Sequence, residues 1–254
     1  MDVIVVYLFI AGLFFGSFFN CIANRLSKNE SIIRPGSHCE NCKHELAWYE
    51  LIPVFSYLFL KGKCKKCHTK LSIWYPLTEL ITGLLFAISY IRFGFTIETL
   101  ISITIVSILI TTFISDSKYY IILDEVIVVG LLFMVILMYF NAGISGLIKC
   151  FIGCLFIGIV MILIKLIGDK AFKMESLGWG DIKLSLIAGF ILGIRLGAVY
   201  IFLGSLLALP FGLFYSFRNQ SRIIPFGPFL SISLLTIYWF SPIFYSILNS
   251  LLGV

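Results

Sequence analysis

The stretch Ile121-Ile-Leu-Asp124-Glu125-Val-Ile-Val-Val-Gly130-Leu-Leu-Phe-Met-Val-Ile-Leu-Met-Tyr-Phe140 decides the fold class. Its only charges stand near one end, and the whole stretch, otherwise apolar, has the roughly 20 residues that a membrane-crossing helix requires. Similar runs recur along the chain. Of its 254 residues, 60% are hydrophobic and 13% charged, with a mean hydropathy of +1.04. A soluble domain is roughly half apolar and about a quarter charged, so a water-soluble or disordered chain is excluded. A β-barrel would alternate polar and apolar residues, whereas these runs are continuous. The expectation is an all-α polytopic membrane protein.

Spans are expected near residues 3–22, 76–92, 97–115, 121–140, 143–167, 182–196, 197–217 and 225–252. Eight spans use about 160 positions and leave about 94 for the rest. The first run is not expected to be a cleavable signal peptide, because only Asp2 precedes it and Arg25 follows it. Domain organisation is expected as a first helix (1–22), a polar domain (23–75) and a seven-helix membrane domain (76–254). No internal repeat or low-complexity segment is expected from the residue pattern.

Charge placement sets the orientation. All three histidines, four of seven cysteines and nine of nineteen basic residues lie between Ala23 and Ile73. Basic residues mark cytoplasmic ends. With the polar domain inside, the connections 116–120, 168–181 and 218–224 are inside as well. Sixteen of the nineteen basic residues then lie at cytoplasmic ends, including Lys118, Lys165, Lys183, Arg218 and Arg222. Both termini are expected outside.

Within the polar domain, Cys39-Glu-Asn-Cys42 and Cys64-Lys-Lys-Cys67 stand 21 residues apart. Two Cys-x-x-Cys knuckles at this spacing suit a closed tetrahedral zinc site. A segment of about 50 residues needs such a staple. Two disulfides or a redox dithiol are the alternatives; a cytosolic setting disfavours the first. His38, His44 and His68 are expected beside the site rather than on the metal, and Cys21, Cys150 and Cys154 as small apolar packing.

Only thirteen acidic residues exist, so each one in or beside a span is costly and informative. Asp116 ends the third span, Asp124 and Glu125 lie one to two turns into the fourth, and Asp181 opens the sixth after Gly178-Trp179-Gly180. Orientation by Lys and Arg puts Asp116 and Asp181 on one membrane face at similar depth. Two adjoining carboxylates share a proton, so one can activate water while the other polarises a carbonyl, as in aspartic peptidases. Asp124 as partner of Asp116 would lie about 12 Å away along continuous helix. Gly178 and Gly180 suit a tight turn beside Asp181, which also reads as an N-cap. Asp124 and Glu125 are candidates for substrate contact or for pairing with Lys118 or Lys183. Glu79 is expected either to reach the site or to pair with a cytoplasmic base.

Taken in order, several motifs resemble the prepilin leader peptidase/N-methyltransferases, membrane aspartic peptidases of the Gly-x-Gly-Asp type. They are Gly16-Ser17-Phe18-Phe19-Asn20 with Arg25, Arg34-Pro35-Gly36-Ser37, Ile52-Pro53-Val54-Phe55-Ser56-Tyr57, Lys61-Gly62-Lys63-Cys64 and Tyr75-Pro76-Leu77-Thr78-Glu79-Leu80. The second half adds the Asp116–Asp124 spacing, Gly178-Trp179-Gly180-Asp181-Ile182-Lys183-Leu184 and Pro225-Phe226-Gly227-Pro228. Leu123 and Lys118 depart from the pattern, where the family usually has proline and an acid.

The resemblance implies cleavage of the basic leader of type IV prepilins or pseudopilins after a glycine, with Asp116 and Asp181 catalytic. It implies methylation of the new N-terminal residue, usually phenylalanine, by S-adenosylmethionine. The zinc domain belongs with the bifunctional branch. The implied location is a bacterial cytoplasmic membrane with the zinc domain and active site at the cytoplasmic face; partners are the bilayer and the prepilins, with no nucleic acid. A carboxylate-based cation- or proton-coupled transporter and a non-enzymatic zinc-ribbon assembly factor are the alternatives.

Overall fold

The computed structural model describes residues 3–218 and 225–252, and helices dominate them: α1 (Val3–Leu26), α2 (Phe55–Phe59), α3 (Trp74–Phe93), α4 (Ile97–Tyr119), α5 (Asp124–Phe172), α6 (Trp179–Arg218), α7 (Gly227–Trp239) and α8 (Ser241–Leu252). A 3-10 turn covers Trp48–Leu51. Among the described residues β-pairing is limited to two isolated bridges, His38 with Glu45 and Lys63 with Lys70. Arg222 lies outside the described residues. The chain divides into two compact units, one reaching to Thr99 and the other beginning at Leu100.

Among the described residues five helices, α1, α3, α4, α5 and α6, are long and apolar enough to cross a membrane; the α7–α8 pair, bent by 87°, makes up to six. The expected spans 121–140 and 143–167 are the two parts of α5, and 182–196 and 197–217 those of α6. Each long helix is broken at a glycine, Gly143 (φ 65°) and Gly193 (φ 69°). No atom lies within 4 Å of where a Cβ would stand at either, so the left-handed backbone, not crowding, requires glycine there. α5 starts at Asp124, which places Asp124 and Glu125 in its first turn rather than one to two turns inside. Acids at that position meet the positive end of the helix dipole.

In the first unit, α1 and α3 pack antiparallel through small residues. A Cβ on Gly12 would stand 2.7 Å from Gly83 Cα, and one on Gly16 2.7 Å from Glu79 Cα. Asn20 Nδ2 donates to Thr78 Oγ1 at 2.7 Å, one turn further along. In the second unit, Gly153 in the later part of α5 abuts Gly189 and Gly193 of α6. Ile157, Met161 and Ile182 form a buried cluster there, flanked by Leu177 and Ile201. α4 meets α5 where Gly130 admits Ile108, and Trp239 Nε1 of α7 donates to Ser102 Oγ of α4 at 2.7 Å. Large exposed side chains such as Leu132, Phe133, Ile136 and Ile159 give these helices the apolar outer faces that lipid requires.

Candidate metal centre and candidate active site

The two knuckles of the first unit share one backbone design, offset by 25 residues. Cys39 N–H donates to His44 O, Lys43 N–H to Cys39 O and Leu46 N–H to Ser37 O, at 2.8–2.9 Å. The same three bonds recur as Cys64 to Thr69, His68 to Cys64 and Leu71 to Gly62, at 2.8–3.0 Å. The residue after each second cysteine, Lys43 or His68, is left-handed with φ 56°. This is a short internal repeat that the sequence reading missed: apart from the cysteines, only Leu46 and Leu71 match across the two loops.

The repeat delivers four thiols to one point. Cys39, Cys42, Cys64 and Cys67 offer sulfur atoms all within 4.8 Å of one another. Cys39 Sγ lies 3.8 Å from Cys67 Sγ, and Cys42 Sγ 3.9 Å from Cys64 Sγ. Tetrahedral zinc with Zn–S bonds of about 2.3 Å sets its sulfurs about 3.8 Å apart. The four residues therefore fit a metal, and none of them forms a disulfide. The Thr69 hydroxyl and backbone hold the Cys67 thiol down at about 5, so this group is a thiolate at neutral pH. The His44 backbone lowers Cys42, but desolvation and the three neighbouring thiols outweigh it and carry Cys42 up to about 11. A bound dication would displace the remaining protons.

Neighbours hold the cradle. Asn41 Nδ2 bonds Thr69 Oγ1 at 2.9 Å and thus ties one knuckle to the other. His44 Nε2 faces Glu50 Oε2 at 3.4 Å, and His38 Nδ1 meets Gly36 O at 3.0 Å. Arg25, at the end of α1, reaches the carbonyls of Ser31, Ile32, Pro35 and Gly36 at 2.8–3.3 Å. Glu79 is buried and accepts the Val54 N–H at 2.7 Å, where it also meets the Ser17 hydroxyl. Its partners are thus a backbone amide and a hydroxyl, not a basic side chain.

In the second unit the ends of α4, α6 and α7 converge. Asp116, 7% exposed, lies in the last turn of α4, and its Oδ2 accepts the N–H of Gly227 at 3.0 Å. Gly227 opens α7, so the carboxylate takes one of that helix's otherwise unsatisfied N-terminal donors. Asp181, 9% exposed, lies in the first turn of α6, inside the helix rather than at its cap. Its carboxylate lies close to Gly178, with Oδ2 3.2 Å from a Cβ built there, and is near enough to Asp116 for their charges to interact. Ile122 packs against two glycines of the site: its side chain lies 2.8 Å from a Cβ built on Gly180 and 3.1 Å from one built on Gly227. Neither glycine leaves room for a side chain.

Below Asp181, Ser185 Oγ donates to the Asp181 carbonyl at 2.8 Å and meets Tyr200 Oη at 3.2 Å. Ser233 Oγ donates to Tyr200 O at 2.9 Å.

Asp124 is exposed and pairs with Lys183 at 2.6 Å; Glu125 beside it is exposed as well. The helical spacing used to set Asp124 apart from Asp116 does not apply, because α4 ends at Tyr119 and Tyr120 turns left-handed with φ 57°. What separates them is burial on one side and an exposed ion pair on the other. Gly227, Ile122 and Lys165 were missed as site residues. The helix-breaking Pro225-Phe226-Gly227-Pro228 and a lysine in an apolar run were the available signals.

Comparison with known proteins places these features in a family. Residues 103–213 match the type IV leader peptidase family, and residues 10–93 match the Bacterial Peptidase A24 N-terminal domain. Relatives named prepilin leader peptidase/N-methyltransferase include one from Bacillus subtilis, 35% identical over 77% of this chain and 76% of its own length. One from Klebsiella pneumoniae is 31% identical over 74% and 84%, and one from Myxococcus xanthus 37% identical over 75% and 56%. The chain thus spans little more than half of the Myxococcus relative. No solved structure matches it.

Proposed function

Since the chain belongs to the type IV leader peptidase family, we propose that it is a multi-pass membrane aspartic endopeptidase for type IV prepilins or pseudopilins. It removes the basic leader after a glycine at the cytoplasmic face. It then methylates the new N-terminal residue, usually phenylalanine, with S-adenosylmethionine as methyl donor. The observation that carries the peptidase reading is the pair of buried carboxylates, Asp116 and Asp181, at the meeting ends of α4 and α6.

Two such carboxylates hold one proton between them. The ionised one takes a proton from water as that water attacks the scissile carbonyl carbon. The protonated one donates its hydrogen bond to the carbonyl oxygen, and the departing amine leaves with a proton from the dyad. The Gly227 N–H keeps Asp116 in place. Gly178 and Gly180 let the backbone approach closely beside Asp181, with Ile122 filling the space against Gly180. Asp124 and Glu125, exposed at the start of α5, are the acids offered to the basic leader, with Lys183 setting the position of Asp124. Glu79 acts in the first unit by holding the Val54 loop.

The domain organisation we propose is a first helix (1–22), a zinc-binding part associated with methyl transfer (23–75) and the peptidase domain (76–254), with boundaries that differ from the break between the two compact units after Thr99. Cys39, Cys42, Cys64 and Cys67 would hold structural zinc, which closes the two knuckles. Charge placement supports a cytoplasmic position for that part and for the dyad. A transporter would need carboxylates near the bilayer middle; here Asp116 stands three residues before the end of α4 and Asp181 two after the start of α6. The test is leader cleavage by purified Asp116→Asn and Asp181→Asn, each expected to lose about 10³-fold or more in rate. Unchanged cleavage by either variant, properly inserted, removes the dyad.

A further inference from the structure

Lys165 is a buried cation in the apolar later part of α5, 6% exposed. A buried ammonium is costly unless its protons are taken up. Its Nζ donates to Leu177 O at 2.7 Å. It also pairs with Asp169 at 3.3 Å and with Glu175 at 3.8 Å, and stands 5.5 Å from the centre of the Trp179 ring. One turn further along α5, Asp169 Oδ1 accepts the Ser176 N–H at 2.6 Å and its hydroxyl at 2.8 Å. Gly168 makes the approach possible, since a Cβ there would stand 2.8 Å from Ser176 Cβ. The segment leading into Gly178-Trp179-Gly180-Asp181 is therefore fastened to one turn of α5.

The fastening has a directional consequence. The Leu177 carbonyl and the Gly178 N–H belong to one planar trans peptide and point in opposite directions. With the carbonyl drawn to Lys165, the N–H turns the other way, and the Asp181 carboxylate stands close to Gly178. A Cβ on Gly178 would stand 3.2 Å from Asp181 Oδ2, so the approach is close. We propose that Lys165 is a positioning residue for the peptidase reaction: by holding the Leu177 carbonyl it aims the Gly178 N–H at Asp181 and fixes that carboxylate opposite Asp116. The inference rests on the aspartic-peptidase reading, and it concerns orientation, since Lys165 touches neither substrate nor water in this role.

The experiment measures cleavage of a purified prepilin by the full chain in lipid. Wild type, Lys165→Met, Lys165→Arg, Lys165→Gln and Asp181→Asn are compared, with kcat expressed per folded molecule. Lys165→Met is expected to lower kcat by about tenfold to about a hundredfold with KM unchanged, as for a displaced catalytic group. Lys165→Arg, which keeps a donor and the charge, is expected to recover most of that loss. If Lys165→Met does not accumulate, Lys165→Gln is expected to show the same kcat-only loss in milder form. Wild-type kcat per folded molecule, or a loss confined to KM or to the folded fraction, overturns the proposal. Asp181→Asn separates the two levels: if it cleaves normally, the dyad reading itself fails; if it is inactive while Lys165→Met is normal, only the positioning role fails.

Discussion

Asp116 Oδ2 accepts the backbone N–H of Gly227 at 3.0 Å across 111 residues of chain. The bond joins the last turn of α4 to the first residue of α7, and no side chain at Gly227 is compatible with it. A Cβ there would stand 2.8 Å from Asp116 Oδ2 and 3.1 Å from Ile122 Cδ1. Gly227→Ala should therefore displace the carboxylate and slow prepilin cleavage by about tenfold to about a hundredfold. Steady-state kinetics check this, and a wild-type rate would show that the bond does not position Asp116.

The four-thiol cradle predicts about one equivalent of zinc per chain, the stoichiometry of a closed tetrahedral site. Elemental analysis of purified protein should find it, and Cys39→Ser combined with Cys64→Ser should abolish it. Because metal binding supplies folding free energy in so small a segment, chelation should also expose the 23–75 region to protease. A protected, metal-free segment would contradict the zinc assignment.

The Asp124–Lys183 pair is short, at 2.6 Å, but both side chains are well exposed, at 63% and 43%. Exposed pairs contribute only about 0–1 kcal/mol. Asp124→Asn should accordingly leave the melting temperature nearly unchanged. If Asp124 and Glu125 meet the basic leader, neutralising both should raise KM for the prepilin and weaken its salt dependence. An unchanged KM would assign the two acids to the helix terminus alone.

The breaks in α5 and α6 depend on backbone conformation. Gly143→Ala places an L-residue at φ 65° with no atom within 4 Å of its Cβ. The expected cost is that of a positive-φ, extended-ψ backbone open essentially only to glycine, about 1–3 kcal/mol. Gly36→Ala has equal space without a left-handed backbone and serves as the neutral control. Thermal denaturation of the two variants should separate them; equal midpoints would mean the break at Gly143 does not need glycine.

The apolar runs made the helices legible, since nothing but a bilayer accommodates Val126–Phe140. Sequence placed a break near 196–197 where the backbone turns at Gly193, because a single positive-φ glycine inside a uniformly apolar helix carries little pattern. Asp116 and Asp181 stood out because acids are rare beside spans. The backbone groups around them did not: a Gly227 N–H that donates or a Leu177 carbonyl that accepts has no residue-type signature, and both act on partners distant in sequence. The knuckle repeat was hidden for the same reason, as its shared feature is a backbone hydrogen-bond pattern.

The central claim is that Asp116 and Asp181 act together on a prepilin. Its most direct test mixes purified protein, a prepilin and isotope-labelled S-adenosylmethionine, and reads the pilin N-terminus by mass spectrometry for wild type, Asp116→Asn and Asp181→Asn. The prediction is a leaderless, singly methylated N-terminus with wild type and an intact leader with both variants. Leader removal by either folded variant at the wild-type rate would contradict it.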